Sequence, residues 1–187
     1  MYSASDLRKG LKIEIDGVPY VISEFNFVKP GKGQAIYTCR VKNLITGLTF
    51  VKQYRSNDSI EEPKLEERKM SFSYENGDNL VFFDEHFEEV SIPKVVFGDK
   101  RYFLEENMNV SVLFHNDRPI DFTMPFFVER PIVETEPGVR GDTATNVSKN
   151  ATIPGGYKIQ VPLFVNQNDI VRIDTRTGEY VDRVSKK

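Results

Sequence analysis

Short stretches in which hydrophobic and polar residues alternate follow one another along most of the chain. Such alternation predicts β-strands with one buried and one exposed face, and the residues that separate the stretches are typical of turns. Asp16-Gly17, Thr46-Gly47, Asn76-Gly77 and 116–118 are examples of these turns. The range 11–22 is predicted to form strand on both sides of the turn at Asp16-Gly17, and the other predicted strands are 20–28, 36–44, 48–54, 69–74, 79–83, 108–115, 119–124, 157–165, 170–174 and 180–184.

Helix signals are few and short. Ser3 and Asp6 fit the cap of a single turn, and residues 84–89 and 101–106 fit short helices. Many short strands with frequent turns predict an all-β chain built from small barrels or sandwiches. Breaks in the pattern near 61–64 and 124–127 divide the chain into three predicted domains, 1–63, 64–127 and 128–187.

One predicted turn carries a residue that a turn does not need. The segment 29–35, Lys-Pro-Gly-Lys-Gly-Gln-Ala, lies between two strands and has the composition of a hairpin tip. Proline has no backbone N–H and ends a strand ladder, and glycine tolerates positive φ angles. The candidate functional residue is Lys32, and the loop that presents it consists of Lys29, Pro30, Gly31, Gly33 and Gln34.

The strands around this tip carry only positive charge. Residues 25–57 contain six Lys or Arg residues and no Asp or Glu, in a chain of formal net charge −3. A local positive field suits a phosphate backbone, although a solvated hairpin with acidic partners elsewhere in the sequence would have the same composition. The six residues are Lys29, Lys32, Arg40, Lys42, Lys52 and Arg55.

Charge is unevenly divided over the three predicted domains. Their formal net charges are +2, −6 and +1 in chain order. If the protein binds nucleic acid, this distribution predicts contacts by the two ends and a middle domain that faces away.

Composition argues against several classes of protein. The chain has no apolar run of about 18 residues, so we expect no transmembrane helix, and its first residues lack the apolar core of a signal peptide. Cys39 is the only cysteine, which fits a reducing cytoplasm. His86 and His115 have no Cys or His partner at ligand spacing, so we expect no metal and two structural histidines at the surface or half-buried.

Signatures of catalysis are missing as well. The segment 31–36 lacks the third glycine of a dinucleotide fingerprint and the Ser or Thr of a Walker phosphate loop. The chain also has no Gly-x-Ser-x-Gly. We therefore expect no cofactor, no catalytic residues and no enzymatic activity.

Several longer motifs occur in a fixed order along the chain. They are 6–12 (Asp-Leu-Arg-Lys-Gly-Leu-Lys), the tip 29–35, 43–47 (Asn-Leu-Ile-Thr-Gly), 136–144, 161–165 and 171–184. Together they resemble the motifs of the bacterial translation elongation factor P family over essentially the full length. Leu7 differs conservatively from the phenylalanine that many members have.

The resemblance implies three β-barrel domains in an L shape similar to tRNA, a KOW/SH3-like N-terminal domain followed by two OB-like domains. It implies binding to the ribosome beside the peptidyl-tRNA and relief of stalling at consecutive prolines. It also places the modified residue at Lys32, which a modifying enzyme would extend, most commonly with β-lysine. The extended side chain would position the tRNA acceptor end, and the ribosome would remain the catalyst.

Further RNA contacts are expected partly from charge and partly from the resemblance. Charge selects phosphate contacts on the N-terminal strands, and the resemblance selects a loop of the third domain that approaches mRNA. The last hairpin supplies weaker candidates, of which Tyr180 could equally be core. These candidates are Arg40, Lys42, Lys52, Arg55, Gly141, Asp142, Thr143, Tyr180 and Arg183.

The expected partners are ribosomal RNA, peptidyl-tRNA, mRNA and a lysine-modifying enzyme, for a cytoplasmic monomer without membrane contact. The alternative is a stand-alone RNA-binding module of OB type. Its aromatic face would consist of Phe72, Tyr74, Phe82 and Phe83, but the net charge of −6 in that domain argues against it. A paralogue with a related fold is a further alternative, against which the Gly-Lys-Gly tip and the Gly-Glu-Tyr-Val segment argue.

Overall fold

A computed structural model describes residues 1–137 and 147–184 of the chain. Apart from a few short helical segments, regular structure in these residues consists of strands, so the all-β prediction is confirmed. The chain divides into two compact units, Met1–Arg68 with Val112–Asp121 and Lys69–Ser111 with Phe122–Lys187. The three domain boundaries drawn from the sequence stay a prediction.

Residues 1–60 form two antiparallel sheets. β2, β3, β4 and β5 pair in that order in one sheet, and β1 pairs with β6 in the other. The strands are β1 (Tyr2–Ser3), β2 (Lys12–Ile15), β3 (Val18–Val28), β4 (Ile36–Asn43), β5 (Thr49–Arg55) and β6 (Ser59–Ile60).

The core of these strands follows from their alternation. Ile13 and Ile15 are buried on β2, and Cys39 and Val41 are buried on β4, while the residues between them face outward. The predicted cap near the N-terminus is confirmed in a 3-10 turn at Ala4–Asp6, where the Ser3 backbone N–H donates to Asp6 Oδ2 at 2.8 Å.

The middle of the chain forms a five-stranded sheet. Its strand order is β11-β10-β7-β8-β9. The elements are β7 (Leu65–Asn76), β8 (Asn79–Phe83), β9 (Glu89–Pro93), α1 (Lys94–Phe97), a 3-10 segment (Gly98–Phe103), β10 (Asn109–His115) and β11 (Arg118–Thr123). Asn116 and Asp117 have φ angles of 49° and 61°, as a tight two-residue hairpin turn requires.

The two helices expected in this part of the chain need correction. The predicted helix at 84–89 is wrong, because Asp84 Oδ1 instead accepts the backbone N–H groups of His86 and Glu88, at 2.8 and 2.9 Å. A short polar side chain that binds nearby backbone competes with helix formation in this way. The helix expected at 101–106 is found only in part, since the helical residues end at Phe103.

A row of aromatic rings fills the core beneath this sheet in the second unit. Phe82 contacts Phe72 and Phe97 with centroid distances of 5.4 and 5.3 Å, and Phe97 stacks on Phe122 at 4.1 Å. Phe72 and Phe82 are therefore core residues. Of the aromatic face proposed for a stand-alone RNA-binding module, only Tyr74 is exposed, at 46%.

The C-terminal part forms two further three-stranded antiparallel sheets. β12, β16 and β17 form one sheet in that order, and β13, β14 and β15 form the other. The strands are β12 (Phe127–Pro131), β13 (Glu134–Thr135), β14 (Ser148–Thr152), β15 (Lys158–Pro162), β16 (Ile170–Asp174) and β17 (Glu179–Arg183). The sequence pattern did not predict β12, β13 or β14.

Arg130 ties the C-terminal strands to the 3-10 segment inside the second unit. Its side chain is buried, and Nη1 lies 2.7 Å from Glu105 Oε2 while Nη2 donates to the Phe103 carbonyl. The Tyr157 ring stacks on Tyr102 with centroids 5.2 Å apart. Because the Arg130 guanidinium also satisfies the buried Phe103 carbonyl, Arg130 contributes more to stability than its ion pair with Glu105 alone.

His115 is buried, contrary to the expectation of a surface or half-buried side chain. Its Nε2 lies 3.1 Å from Glu14 Oε2, which fastens the β10–β11 hairpin to β2 within the first unit. His86 is exposed. In the described part of the chain, no helix is long and apolar enough to cross a membrane.

Candidate functional site

The loop 29–35 is the free end of the longest hairpin in the first unit. Pairing between β3 and β4 continues to Val28 and Ile36, and β5 reaches the same level because Arg55 pairs with Ile36. The ladder therefore supports both ends of the loop. Residues 29–34 are all exposed, as the sequence predicted for a hairpin tip.

The two glycines of the tip play different conformational roles. Gly33 has a φ angle of 134°, which L side chains rarely adopt, whereas the φ of Gly31 lies outside the left-handed region. Neither position has an atom within 4 Å of where a Cβ would lie. The backbone thus requires glycine at position 33 only, and the open space around both positions leaves Lys32 accessible.

Lys32 itself is exposed and, among the described residues, has no hydrogen bond or ion pair. Its neighbours Gly31 and Gly33 carry no side chain that would shield it. A primary amine in such a position can attack an activated carboxyl group that a modifying enzyme presents to it. It is equally open to direct contact with a polyanion.

A β-bulge decides which side chains of β3 face the core. The register shifts between Ile22 and Glu24, and the extra residue, Ser23, donates its hydroxyl hydrogen to the Arg40 carbonyl at 3.0 Å. Since side chains alternate along a strand, one inserted residue exchanges the two faces beyond it. Phe25 and Phe27 consequently lie on the core side of the sheet.

The outer face of the hairpin carries three of the predicted basic contacts, Arg40, Lys42 and Arg55. Directly paired residues share one face, and the register places Arg40 beside Val51 and Arg55 beside Ile36. We define the outer face by Glu24, Asn26, Val28, Ile36, Thr38, Arg40, Lys42, Val51, Gln53 and Arg55.

Lys52 lies on the opposite side, the inner face, because it pairs with the buried Cys39. Its Nζ lies 5.5 Å from the centroid of the Tyr54 ring. The structure therefore does not gather the six basic residues into one patch. We define the inner face by Ile22, Phe25, Phe27, Tyr37, Cys39, Val41, Lys52 and Tyr54.

Acidic groups lie at the borders of the basic stretch. Glu24 Oε2 is 3.1 Å from Arg40 Nε, and Asp58 Oδ2 accepts the Arg55 backbone N–H at 2.8 Å. Both partners of the Glu24–Arg40 pair are exposed, so the pair adds little stability. It leaves Lys42 and Arg55 as the outer-face cations without an acidic side-chain partner among the described residues.

The hydroxyl of Tyr54 is buried on the inner face and has no hydrogen-bond partner among the described residues. Burial, with smaller contributions from Cys39 and Asp58, raises the pKa of Tyr54 to about 12. A neutral phenol is favoured there because ionisation would place a charge among apolar groups.

The C-terminal candidates are only partly described. Gly141, Asp142 and Thr143 lie outside the described residues. Tyr180 pairs with the buried Ile173 and is half-buried, so it shares the core side of β17. Burial first, and then the nearby Asp182 carboxylate, raises the pKa of Tyr180.

Arg183 is exposed near the end of β17. Its Nη1 lies 3.4 Å from Asp169 Oδ2, and its guanidinium lies 5.2 Å from the Phe164 ring centroid. Tyr180, by contrast, lines an open cavity of 690 Å³ together with Lys158 and Gln160. These two predicted contact residues therefore have different surroundings.

Sequence reasoning missed the aromatic side chains of the inner face. Phe27 and Tyr37 have ring centroids 4.9 Å apart, and Phe25 and Tyr37 have centroids 6.4 Å apart. The spacing of Phe25 and Phe27 was a signal that both rings share one face.

In the described residues, no cluster of His, Cys, Asp or Glu is arranged to hold a metal ion.

Family models match the chain in three consecutive segments. Residues 3–60 match the elongation factor P KOW-like domain, residues 65–122 match the elongation factor P OB domain, and residues 128–183 match the elongation factor P C-terminal domain. The predicted KOW-like domain and the first of the two predicted OB-like domains thus occur in the predicted order.

Relatives that align over their whole length agree with this assignment. The chain is 51% identical to elongation factor P of Desulfotalea psychrophila and 49% identical to that of Desulforapulum autotrophicum, each over 100% of both chains. Its fold resembles eukaryotic translation initiation factor 5A from Methanococcus jannaschii, with a TM-score of 0.57 at 22% identity over 66% of this chain and 91% of that one. The chain therefore belongs to the elongation factor P family.

Proposed function

We propose that this member of the family, a translation elongation factor, binds the ribosome beside the peptidyl-tRNA and stimulates peptide-bond formation at consecutive prolines. The acting group is Lys32, carrying a covalent extension of the β-lysyl type. The observation that carries this proposal is an exposed lysine, without a partner among the described residues, at the end of a hairpin whose ladder reaches the loop.

The physical basis of the activity is positioning. Proline fixes its own φ angle and lacks a backbone N–H, so consecutive prolines strain a nascent chain and displace the ends of the tRNA that carries it. Peptide transfer is sensitive to such displacement, since a misplacement of about 1 Å can cost roughly 100-fold in rate. A long cationic arm on Lys32 braces the tRNA end, and the ribosome performs the chemistry.

The outer face supports the proposed contact with RNA. Arg40, Lys42 and Arg55 follow one another on one side of the hairpin that carries Lys32. Cations in such a row suit successive phosphates, which fix position without reading sequence. These residues are the proposed phosphate contacts of the N-terminal domain, and Arg183 is the proposed contact of the C-terminal domain.

The remaining partners follow from the same proposal. A lysine-modifying enzyme must reach the Lys32 amine, and the open space around Gly31 and Gly33 permits this approach. Action on bacterial ribosomes places the factor in the cytoplasm, and the loop Gly141–Thr143 is proposed to approach mRNA. The stand-alone RNA-binding alternative is not favoured, because Phe72 and Phe82 are buried in the core.

The test compares Lys32→Ala with Lys29→Ala, an exposed lysine of the same loop. We expect Lys32→Ala to abolish relief of stalling on a Pro-Pro-Pro reporter and to keep the wild-type melting temperature, because the side chain has no partner among the described residues. Lys29→Ala should keep most of the activity. Intact-mass measurement of wild-type protein from its native host should show an extension at Lys32. Normal activity of Lys32→Ala, or an unextended Lys32 in an active protein, would refute the role of the arm.

A further inference from the structure

The inner face continues beyond the core toward the tip, and there it is aromatic. Phe25 and Phe27 are 36% and 46% exposed, although they lie on the side of β3 that buries Ile22 further from the tip. Tyr37 pairs with Phe27 on the neighbouring strand, contacts both phenylalanine rings and packs against the core. Two exposed phenylalanine rings are thus held against a tyrosine whose own position the core fixes.

The charge around these rings is positive. Lys52 is on the same face, and Lys29 and Lys32 follow directly in the loop. The nearest acidic residue in the strand, Glu24, lies on the outer face and pairs with Arg40 there. An aromatic surface with cations at its edges is complementary to a polyanion that presents flat, unpaired rings.

We propose that Phe25 and Phe27, with Tyr37 behind them, bind unpaired nucleotides of RNA by stacking of the bases. This inference rests on the proposed function and extends it, because it gives the two faces of the hairpin different tasks. The outer-face cations contact phosphates, and the inner face stacks on bases. Stacking does not depend on base identity, since every base has an aromatic face, which suits a factor that acts on many messages.

The outer face supplies a matched control. Val51 is 54% exposed on β5, where it pairs with Arg40. A substitution there changes an exposed apolar side chain on the same hairpin but leaves the stacking rings in place. Differences between variants at Phe27 and Val51 therefore report on the inner face rather than on loss of apolar surface in general.

The chain has no tryptophan, so one introduced tryptophan is a fluorescence probe without background. Phe27→Trp and Val51→Trp are each titrated at low salt with a mixed-sequence single-stranded RNA oligomer and with a duplex of the same sequence. The proposal predicts strong quenching of the Phe27→Trp fluorescence by the single strand, weaker quenching by the duplex, and little change in the Val51→Trp fluorescence. Equal quenching at both positions, or none at position 27, would overturn it.

A second experiment tests the face on the ribosome. The double variant Phe25→Ala with Phe27→Ala, and Val51→Ala, are purified from the host, and only protein whose intact mass matches fully extended wild type is assayed. Loss of one stacked base predicts a fall in stall relief of about tenfold or more for the double variant, with Val51→Ala close to wild type. Phe27→Tyr, which keeps a ring, should retain activity.

Other results separate this inference from the proposed function. If the double variant is poorly extended at Lys32 but active once extended, the rings bind the modifying enzyme and the stacking proposal is wrong. If it is fully extended and fully active, the proposal is wrong as well. If wild-type protein itself fails to relieve stalling, the proposed function fails, and the fluorescence titration still decides whether the inner face binds single-stranded RNA.

Discussion

Replacing Gly33 with alanine should disable the tip without unfolding the protein. Gly33 has a φ angle of 134°, and a residue with a Cβ held in such a region costs of order 1–3 kcal/mol. No atom lies within 4 Å of the added Cβ, so the cost comes from the backbone and not from a clash. The loop relieves it by leaving its wild-type conformation, and about 2 kcal/mol shifts that population roughly 30-fold.

The matched control is Gly31→Ala, because Gly31 has the same open surroundings and no left-handed φ angle. Both variants should melt within about 1 °C of wild type, since the loop lies outside the strand ladder and surface changes rarely exceed about 0.5 kcal/mol. Relief of Pro-Pro-Pro stalling should fall on the order of tenfold for Gly33→Ala and stay near wild type for Gly31→Ala. Equal activity of the two variants would show that the φ angle at position 33 does not matter, and a large loss of melting temperature would show that the loop carries stability.

Three further predictions concern buried polar groups in the two units. Tyr54→Phe should leave stability unchanged or raise it by up to about 1 kcal/mol near neutral pH, because the removed hydroxyl has no partner among the described residues. Because the folded-state pKa of Tyr54 is raised to about 12, wild type should lose stability as pH rises from about 10 to 12, and denaturant titrations should show a smaller loss for Tyr54→Phe. Arg130→Leu should destabilise the second unit by about 3 kcal/mol in a denaturant titration, since it leaves a buried carbonyl without its donor; an unchanged midpoint would contradict this. His115→Ala should cost about 1–3 kcal/mol through the loss of its contact with Glu14, and the exposed His86→Ala is the control that should cost almost nothing.

The sequence predicted those parts of the fold that depend on neighbouring residues. Alternation identified most strands, and the turn at Asn116-Asp117 has the positive φ angles that its composition favours. The tip was also predictable, because Pro30 ends the strand ladder and the two glycines tolerate the positive φ angles of a tight turn. Lys32 stood out for the same local reason, as a charge that the turn did not require.

Features that depend on distant residues or on strand register were not predictable in this way. His115 and Glu14 are 101 positions apart, and nothing local to either residue signals their contact. One local feature was missed as well, since the Asp84 carboxylate binds two backbone N–H groups that a helix at 84–89 would have used differently. The division of the basic residues between two faces depends on the pairing of Lys52 with Cys39, which charge alone does not reveal.

The bulge at Ser23 has a consequence for comparison among relatives. If Ser23 alone were lost, Ile22 and Glu24 would still pair with Val41 and Arg40, and both rings would stay on the inner face. A strand that kept Ser23 but paired without the bulge would instead turn Phe25 and Phe27 to the outer face, because side chains would then alternate through position 23. Two family members of equal length can therefore share high identity in this hairpin and still present opposite surfaces, whereas a one-residue gap at position 23 conserves the surface.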